Sequence, residues 1–509
     1  MFQSIAQFFE SVGAFFERIF AFLQFFKRLS PETANLIVGL LGLLCIVAIV
    51  FTLFKSKTQP AIAFIFFPTI LAIILVIGGR YSLDNLTSMI KEGFKTTSPT
   101  AALFVFSVLY FGIMSDAGMF DKIINGLMKV TFIRNSVIGV CILTVAIALL
   151  AHLDGGGAST FCVVVPAMLP IYKKMHMRKT TLLRIAVLGM GVLNLMPWAG
   201  PTMRAATVIG EQPNPFWLDN LIYIQIFGIV LAVIHAVLAG FQEKKRGAGL
   251  NGKLAREEGE VAMEEAEQQV AANNSELARP KKFWFNLFLT IGVIALLIVG
   301  DRIFDLPNYV PFMIGTALAL FVNYGMSAKM HKKIINLHSG PALMMCSTLL
   351  GAAILMGILT SNLNAAGEVM KVKETMSVDP AIPSVVNCLG GIVAKILPDF
   401  LGQNLPLVIG ILSVPLALAF DTDSYFYGIL PVMIAIGRSF GVEAMPIAIA
   451  MVVCRNCATF ISPMVPATLL GIGLADVEIK DHIKASFMYV WIFSILCLIF
   501  AIIIGKMPI

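Results

Sequence analysis

The chain has 509 residues, of which 58% are hydrophobic and 13% charged, and its mean hydropathy is +0.87. A soluble domain carries about 25% charged residues, and half that fraction cannot cover a water-soluble particle of this size, so the bulk of the chain sits in lipid. The formal net charge of +7 is spread over short loops and bears on topology; nucleic acid is not an expected partner.

Residues 1–30 read as an amphipathic helix lying in the membrane interface. Ile5, Phe8, Phe9, Val12, Phe15, Phe16, Ile19, Leu23 and Phe26 form its apolar face, and Glu10, Glu17, Arg18 and Lys27 fall elsewhere. The glutamates argue against a signal peptide, and a further membrane span is the alternative. A span needs about 20 apolar residues. The candidates are 36–54, 61–79, 100–114, 183–209 and 221–240, then 283–300, 309–324, 342–359, 446–474 and 487–505. Two further apolar segments, 136–171 and 405–436, are broken by small and polar residues. Residues 242–282 are polar with nearly balanced charge, and read as a cytoplasmic linker between two halves.

The halves resemble each other. Pro99 and Gly112 match Pro341 and Gly357, and Ser159, Phe161, Pro166 and Met168 match Ser424, Phe426, Pro431 and Met433 at a constant offset. Asn194 and Pro201 then match Asn456 and Pro463. Such self-similarity marks an internal repeat. Lys129 and Arg134 precede the first broken segment, and Lys173, Lys174, Arg178 and Lys179 follow it, which places both its ends in the cytoplasm. The segment then enters and returns on one side as a re-entrant hairpin. The second segment has sparse basic flanks, Lys395 and Arg438, suiting an external base. Lys27, Arg28, Lys371 and Lys373 oppose this topology. The expected fold is an all-α polytopic membrane protein of two inverted repeats, 36–241 and 283–505. Each has five spans and one hairpin (136–171 and 405–436), with broken spans at 183–209 and 446–474.

Polar groups concentrate at the breaks. The first hairpin tip carries His152, Asp154, Gly155, Gly156, Gly157, Ser159 and Thr160. A charge at bilayer depth costs about 2.5–3.5 kcal/mol even on lenient scales, and broken backbone is tolerated there only where it is buried or lines a cavity. The arm opening at Ser159 aims its first amides at the break, a setting that attracts anions. The second tip holds Asp421, Thr422, Asp423, Ser424 and Tyr425, whose carboxylates suit a cation or a proton. The alternatives are a plain loop between two full spans for the first tip and an extracellular loop with ordinary solvated acids for the second. The broken spans carry Asn194, Pro197, Gly200, Pro201, Thr202 and Arg204, and Asn456, Ser462, Pro463, Pro466 and Thr468. Their prolines remove helix donors and free carbonyls as ion ligands. Arg204 suits bidentate binding of a carboxylate, or else pairs with a protein acid; Arg455 is a weaker candidate. His152 is either a core histidine or a proton carrier. Cys454 and Cys457 have metal-motif spacing but lie in an apolar helix without a second pair. No nucleotide-binding motif appears, against an ATP-driven pump.

Several motifs together resemble the citrate–metal complex:proton symporter family (CitMHS) of the ion transporter superfamily. They are YFGIMSDAGMFD at 110–121, LDGGGASTF at 153–161, MGVLNLMPWAGPTMRAA at 190–206, YFYGILP at 425–431 and SPMVPATLLGIGLADVEIKDH at 462–482. The resemblance implies an elevator-type carrier, not an enzyme, with scaffold and transport domains, commonly a homodimer in the cell's inner (plasma) membrane. It also implies proton-coupled uptake of citrate chelated to a divalent metal such as Mg or Ca, with no covalent cofactor. The alternatives are a sodium- or proton-coupled carrier of another di- or tricarboxylate, and a cation/proton antiporter without organic substrate. Asp154, Asp421 and Asp423 are the expected metal or coupling-ion ligands. The expected substrate-binding residues are Gly155, Gly156, Gly157, Ser159, Thr160, Asn194, Gly200, Pro201, Thr202, Arg204, Ser424, Tyr425, Asn456, Ser462, Pro463, Pro466 and Thr468. Two tips depart from the family: Gly156 stands where a second acid is usual, and Thr422-Asp423-Ser424 stands where Asn-Asp-Ala is usual.

Overall fold

A computed structural model of the protein describes residues 24–56, 58–129, 135–250, 252, 276–370 and 380–507. Most of the expected interfacial helix, the middle of the linker, Arg134, Lys371 and Lys373 lie outside these residues. The end of the first segment differs from expectation. Phe25–Arg28 form one 3-10 turn, and Phe26, assigned to the membrane-facing stripe, is buried. Its ring packs where Gly78 has no side chain, and its N–H donates to the Gly78 carbonyl at 3.0 Å.

Among the described residues the regular structure is helical, with two isolated bridges joining Leu363 to Val369 and Ile382. In chain order the helices are α1 (Pro31–Ser56), α2 (Pro60–Ile77), α3 (Leu83–Asp116), α4 (Met119–Met128), α5 (Val137–Ala151), α6 (Gly157–Lys174), α7 (Lys179–Leu193) and α8 (Gly200–Val208). Next come α9 (Pro213–Arg246, with a π turn at Trp217–Leu221), α10 (Phe283–Phe304), α11 (Val310–Tyr324), α12 (Ala328–Thr360), α13 (Val385–Ala394) and α14 (Asp399–Gln403). The last are α15 (Leu405–Ala419), α16 (Leu430–Ser439), α17 (Ala444–Ala458), α18 (Pro466–Ala475) and α19 (Ile479–Ile503). Nine stretches among the described residues are long and apolar enough to cross a membrane. They include Val137–Asp154 from the first hairpin, whereas the expected spans 183–209 and 309–324 are not among them. The first is two short helices, and the second is the 15-residue α11.

The outward faces explain the composition. On α9, Tyr223, Ile226, Val230, Ile234, Leu238 and Phe241 are exposed at helical spacing, while Gly228, Ala232, Ala236 and Ala239 on the opposite stripe are buried. On α19, Met488, Ile492, Leu496, Ile499 and Ile503 point outward likewise. Large apolar residues outside and small ones inside is the arrangement of helices packed in lipid, where close backbone approach drives association.

The chain divides into two compact units. The first comprises residues 24–98, 347–403 and 427–444, within the described residues. In it α13 packs on α1 and α16. The early part of α3 crosses the late part of α12 in backbone contact: a Cβ on Gly93 would lie 2.0 Å from the Ala353 oxygen, and one on Gly357 2.4 Å from the Met89 oxygen. The second unit comprises 99–346, 404–426 and 445–507, within the described residues. There α5 packs against α6, α7 and α9, and α6 packs against α18. Every expected site residue belongs to this second unit.

The expected linker begins too early. α9 continues to Arg246, and Glu243 is wholly buried. Its Oε1 accepts from Arg178 Nε at 2.6 Å and from the Thr181 hydroxyl at 2.6 Å, which holds the helix end against the start of α7.

Candidate substrate and ion site

The first hairpin is built from α5 and α6. Ser136 caps α5 by accepting the Gly139 N–H, and Thr144 and Tyr172 join the two arms through hydroxyls 3.1 Å apart. The tip turns at Gly155, whose φ of +69° favours glycine. Asp154 Oδ1 accepts the Gly156 N–H at 2.8 Å, and its other oxygen accepts the Ser159 hydroxyl. The carboxylate therefore holds the opening turn of α6 against the tip.

His152 is fully buried. Its Nδ1 lies 2.7 Å from the Thr160 hydroxyl, and its Nε2 donates to Asn194 Oδ1 at 3.0 Å. The tip is thereby tied to the break between α7 and α8, where Trp198 Nε1 also donates to the Leu153 carbonyl at 2.8 Å. Thr202 closes the break by donating to the Asn194 carbonyl at 2.8 Å. On its other side the tip meets the break between α17 and α18. Phe460 packs edge-on to His152 and Phe161, and a Cβ on Gly157 would lie 2.3 Å from its ring and 2.9 Å from Ala467 Cβ. The helices leading into the two breaks also touch: a Cβ on Gly191 would be 2.7 Å from Cys457 Cα. The Nδ2 of Asn194, both amide atoms of Asn456 and the Thr468 hydroxyl are buried without a hydrogen-bond partner among the described residues.

The second tip follows α15. Asp421 Oδ2 accepts the N–H groups of Asp423 (2.9 Å) and Ser424 (3.3 Å), so this acid caps the following turn. The Tyr425 hydroxyl meets Ser413 at 2.6 Å. Arg455, fully buried on α17, donates to the Phe420 carbonyl at 3.1 Å and to Thr459 at 3.2 Å, with its guanidinium over the Tyr425 ring. Asp423 points elsewhere. Its Oδ1 accepts from Arg204 Nε at 2.6 Å, with the two side chains only 5% and 13% exposed. The Arg204 Nη2 reaches Met345 Sδ at 3.5 Å. Gly200 leaves room for the guanidinium, since a Cβ there would lie 2.5 Å from Nη1.

Residues 26–389 match the model of the CitMHS family, described as citrate transporter. The chain belongs to the citrate transporter family. Within it, the chain is 30% identical over 468 residues to a citrate transporter of Bacillus subtilis (strain 168), an alignment covering 92% of this chain and 99% of that one. It is 29% identical over 473 residues to that organism's Mg(2+)/citrate complex secondary transporter, covering 93% and 99%. Among solved structures it is similar to the Alcanivorax borkumensis YdaH transporter, with TM-score 0.53 and 13% identity, covering 89% of this chain and all of that one. That likeness bears on fold alone. As a member of the citrate transporter family the protein is a multi-pass membrane transporter and not an enzyme.

The three expected acids of this citrate transporter family member take three different partners: Gly156 and Ser159 for Asp154, backbone amides for Asp421, and Arg204 for Asp423. Among the described residues, no group of three histidine, cysteine or acidic side chains stands ready to hold a metal. All eight cysteines are free, Cys454 and Cys457 included. Gly155, Gly157, Thr160, Asn194 and Thr202 are brought together around the first tip. Gly200 and Pro201 open α8 beneath Arg204. Ser462 accepts the Met464 N–H at 3.2 Å and Pro466 opens α18, but both Pro463 and Pro466 are exposed. Sequence reasoning missed Trp198, Phe460 and Met345. The first two are aromatic residues inside breaks, a detectable signal; nothing local marks Met345, which is 141 residues from Arg204.

Proposed function

We propose that this member of the citrate transporter family is a proton-coupled secondary transporter that takes up citrate chelated to a divalent metal, Mg or Ca. The observation carrying this reading is the juxtaposed Arg204 guanidinium and Asp423 carboxylate, 2.6 Å apart where a broken span meets a hairpin tip. A chelate presents both signs of charge, carboxylate oxygens and a cation, and this pair offers a complement to each. Mg typically uses one or two protein carboxylates and keeps its remaining oxygens from substrate or water. A relative 29% identical, the Mg(2+)/citrate complex secondary transporter, supports the same substrate class.

The wider reading places the protein as a homodimer in the inner (plasma) membrane, with inverted repeats and elevator movement. Radiolabelled citrate uptake into proteoliposomes tests the function. Uptake rises when Mg or Ca is added and an inward proton gradient is imposed, and does not need sodium. Uptake driven by sodium without metal would instead favour a carrier of a free di- or tricarboxylate. Metal uptake indifferent to citrate would favour an antiporter. Thiol labelling tests topology: Lys173→Cys reacts from the cytoplasmic face and Arg438→Cys from outside. Labelling of Lys173→Cys from outside in intact cells overturns the hairpin assignment.

A further inference from the structure

We infer that His338, held in place by Asp116, takes the co-transported proton from the substrate site and releases it on the side of the polar linker, a reading that rests on the proton coupling proposed above. The imidazole, on α12, lies across one face of α3. Its Nε2 stands 2.9 Å from Asp116 Oδ2, and its ring fills the space left by Gly112, one turn earlier, where a Cβ would lie 2.5 Å from Nδ1. An ionised carboxylate only accepts, so Nε2 carries the hydrogen. Nδ1 then makes no hydrogen bond among the described residues. The two side chains are 21% and 11% exposed, so the ring is sheltered but not sealed. Nδ1 gains and loses a proton without disturbing the bond that orients the ring, and the Asp116 carboxylate balances the charge of the imidazolium.

Both helices lead from this pair to the site. Met345, seven residues after His338 and so on the same face of α12, touches Arg204 Nη2, which sets His338 about 10 Å along the helix axis from that contact. On α3, Phe111 packs against Trp198, whose Nε1 is bonded to the first tip at the Leu153 carbonyl. Beyond Asp116, the Ala117 carbonyl accepts the Arg279 N–H at 3.0 Å, so the last residues of the linker close on the far side of the pair. His338 also lies within electrostatic reach of Asp154. The other titratable and charged groups around the pair are committed elsewhere. Asp154 holds Gly156 and Ser159, and His152 is bonded to Asn194 and Thr160. Arg279 donates to the carbonyls of Asn323, Glu276 and Ala278, Tyr324 donates to the Leu277 carbonyl, and Lys333 pairs with Glu276. A proton leaving the site adds to Nδ1. The imidazolium then loses it to water on the linker side, which restores the neutral ring and leaves Asp116 ionised throughout.

The test uses the full-length transporter in proteoliposomes with radiolabelled citrate and magnesium. It compares accumulation driven by an inward proton gradient with exchange of internal for external substrate, which needs no proton release. His338→Gln keeps a donor for Asp116 but has no titrating nitrogen. Its accumulation falls roughly 100-fold, the size typical of a lost positioned proton carrier, and no longer responds to internal pH, while exchange persists. Asp116→Asn keeps the hydrogen bond but not the charge, and its accumulation profile shifts toward acid pH because the imidazolium loses its counter-charge. Asp116→Glu retains the wild-type profile. Accumulation by His338→Gln with the wild-type pH profile overturns the proposal. So does an equal fall in exchange and accumulation, the mark of a purely structural contact. Where His338→Gln does not fold, an unmoved pH profile in Asp116→Asn overturns it instead. A wild type that exchanges magnesium citrate but ignores the proton gradient overturns the proton coupling itself, an outcome distinct from failure of this pair in a proton-driven wild type.

Discussion

The Nε2 of His152 stands 3.0 Å from Asn194 Oδ1, so a buried imidazole fastens the first hairpin tip to the first broken span. An Nε2-protonated ring satisfies this bond, and the fully buried ring sets Nδ1 2.7 Å from the Thr160 hydroxyl, which itself donates to the Gly156 carbonyl at 2.7 Å. His152→Gln should therefore lower the melting temperature, with a cost of about 1–3 kcal/mol for buried polar groups losing their partners. Uptake should fall in amplitude at every pH without a change in the shape of the pH profile. A lost or displaced pH dependence in His152→Gln would make the imidazole a proton carrier.

Gly157 sits where a Cβ would be 2.3 Å from the Phe460 ring. Overpacking a filled contact costs about 1–3 kcal/mol, so Gly157→Ala should destabilise the protein and slow transport. Phe460→Leu trims the opposing ring, and the double variant should recover part of the melting temperature lost by Gly157→Ala alone. Additive losses in the double variant would show that the two positions do not press on one another.

Glu243 gathers Arg178, Arg246 and Thr181 at the end of α9. Glu243→Ala leaves the Thr181 hydroxyl buried without this acceptor, for about 1–3 kcal/mol; the half-exposed Arg178 recovers water and adds little. The expected result is a lower melting temperature at an unchanged apparent affinity for substrate. A change confined to affinity would move Glu243 into the transport pathway.

Asp421 and Asp423 should separate under the same substitution. Asp421→Asn keeps a side-chain oxygen that can still accept the Asp423 and Ser424 amides, so it should retain most transport. Asp423→Asn removes the partner charge of Arg204 and should reduce metal-dependent accumulation at least tenfold, on the order expected for a buried ion pair. Initial rates of metal-dependent citrate uptake compare the two, and equal effects would contradict the division of labour.

Much of the protein is written locally. The stripe from Tyr223 to Phe241 repeats at helical spacing, and the low charge content allows no surface but lipid. Pro201 and Pro466 stand in the first turns of α8 and α18, where a missing donor breaks no helix bond, and Gly155 turns the first tip at a φ of +69°, effects that act within one or two turns. The breaks at 194–199 and 459–465 therefore follow from nearby residues. The sequence reading misplaced Phe26 and the start of the linker for the converse reason. Phe26 is buried by Gly78, and Glu243 by Arg178 and Thr181, partners more than 50 residues away in the chain.

Residue types at the site were also legible, since Asp154, Asp423 and Arg204 stand out as charges in apolar surroundings. Their partners were not. Arg204 has both carboxylate substrate and protein acid open to it in the sequence, and the packing of helices 219 residues apart decides for Asp423. Likewise two adjacent acids look equivalent in one dimension until backbone geometry gives Asp421 two amides and turns Asp423 toward a guanidinium. Composition and periodicity report each residue's preference for lipid, helix or turn, which depends on near neighbours. Which buried charge meets which depends on the three-dimensional path of the chain, because that alone brings distant side chains within hydrogen-bond reach.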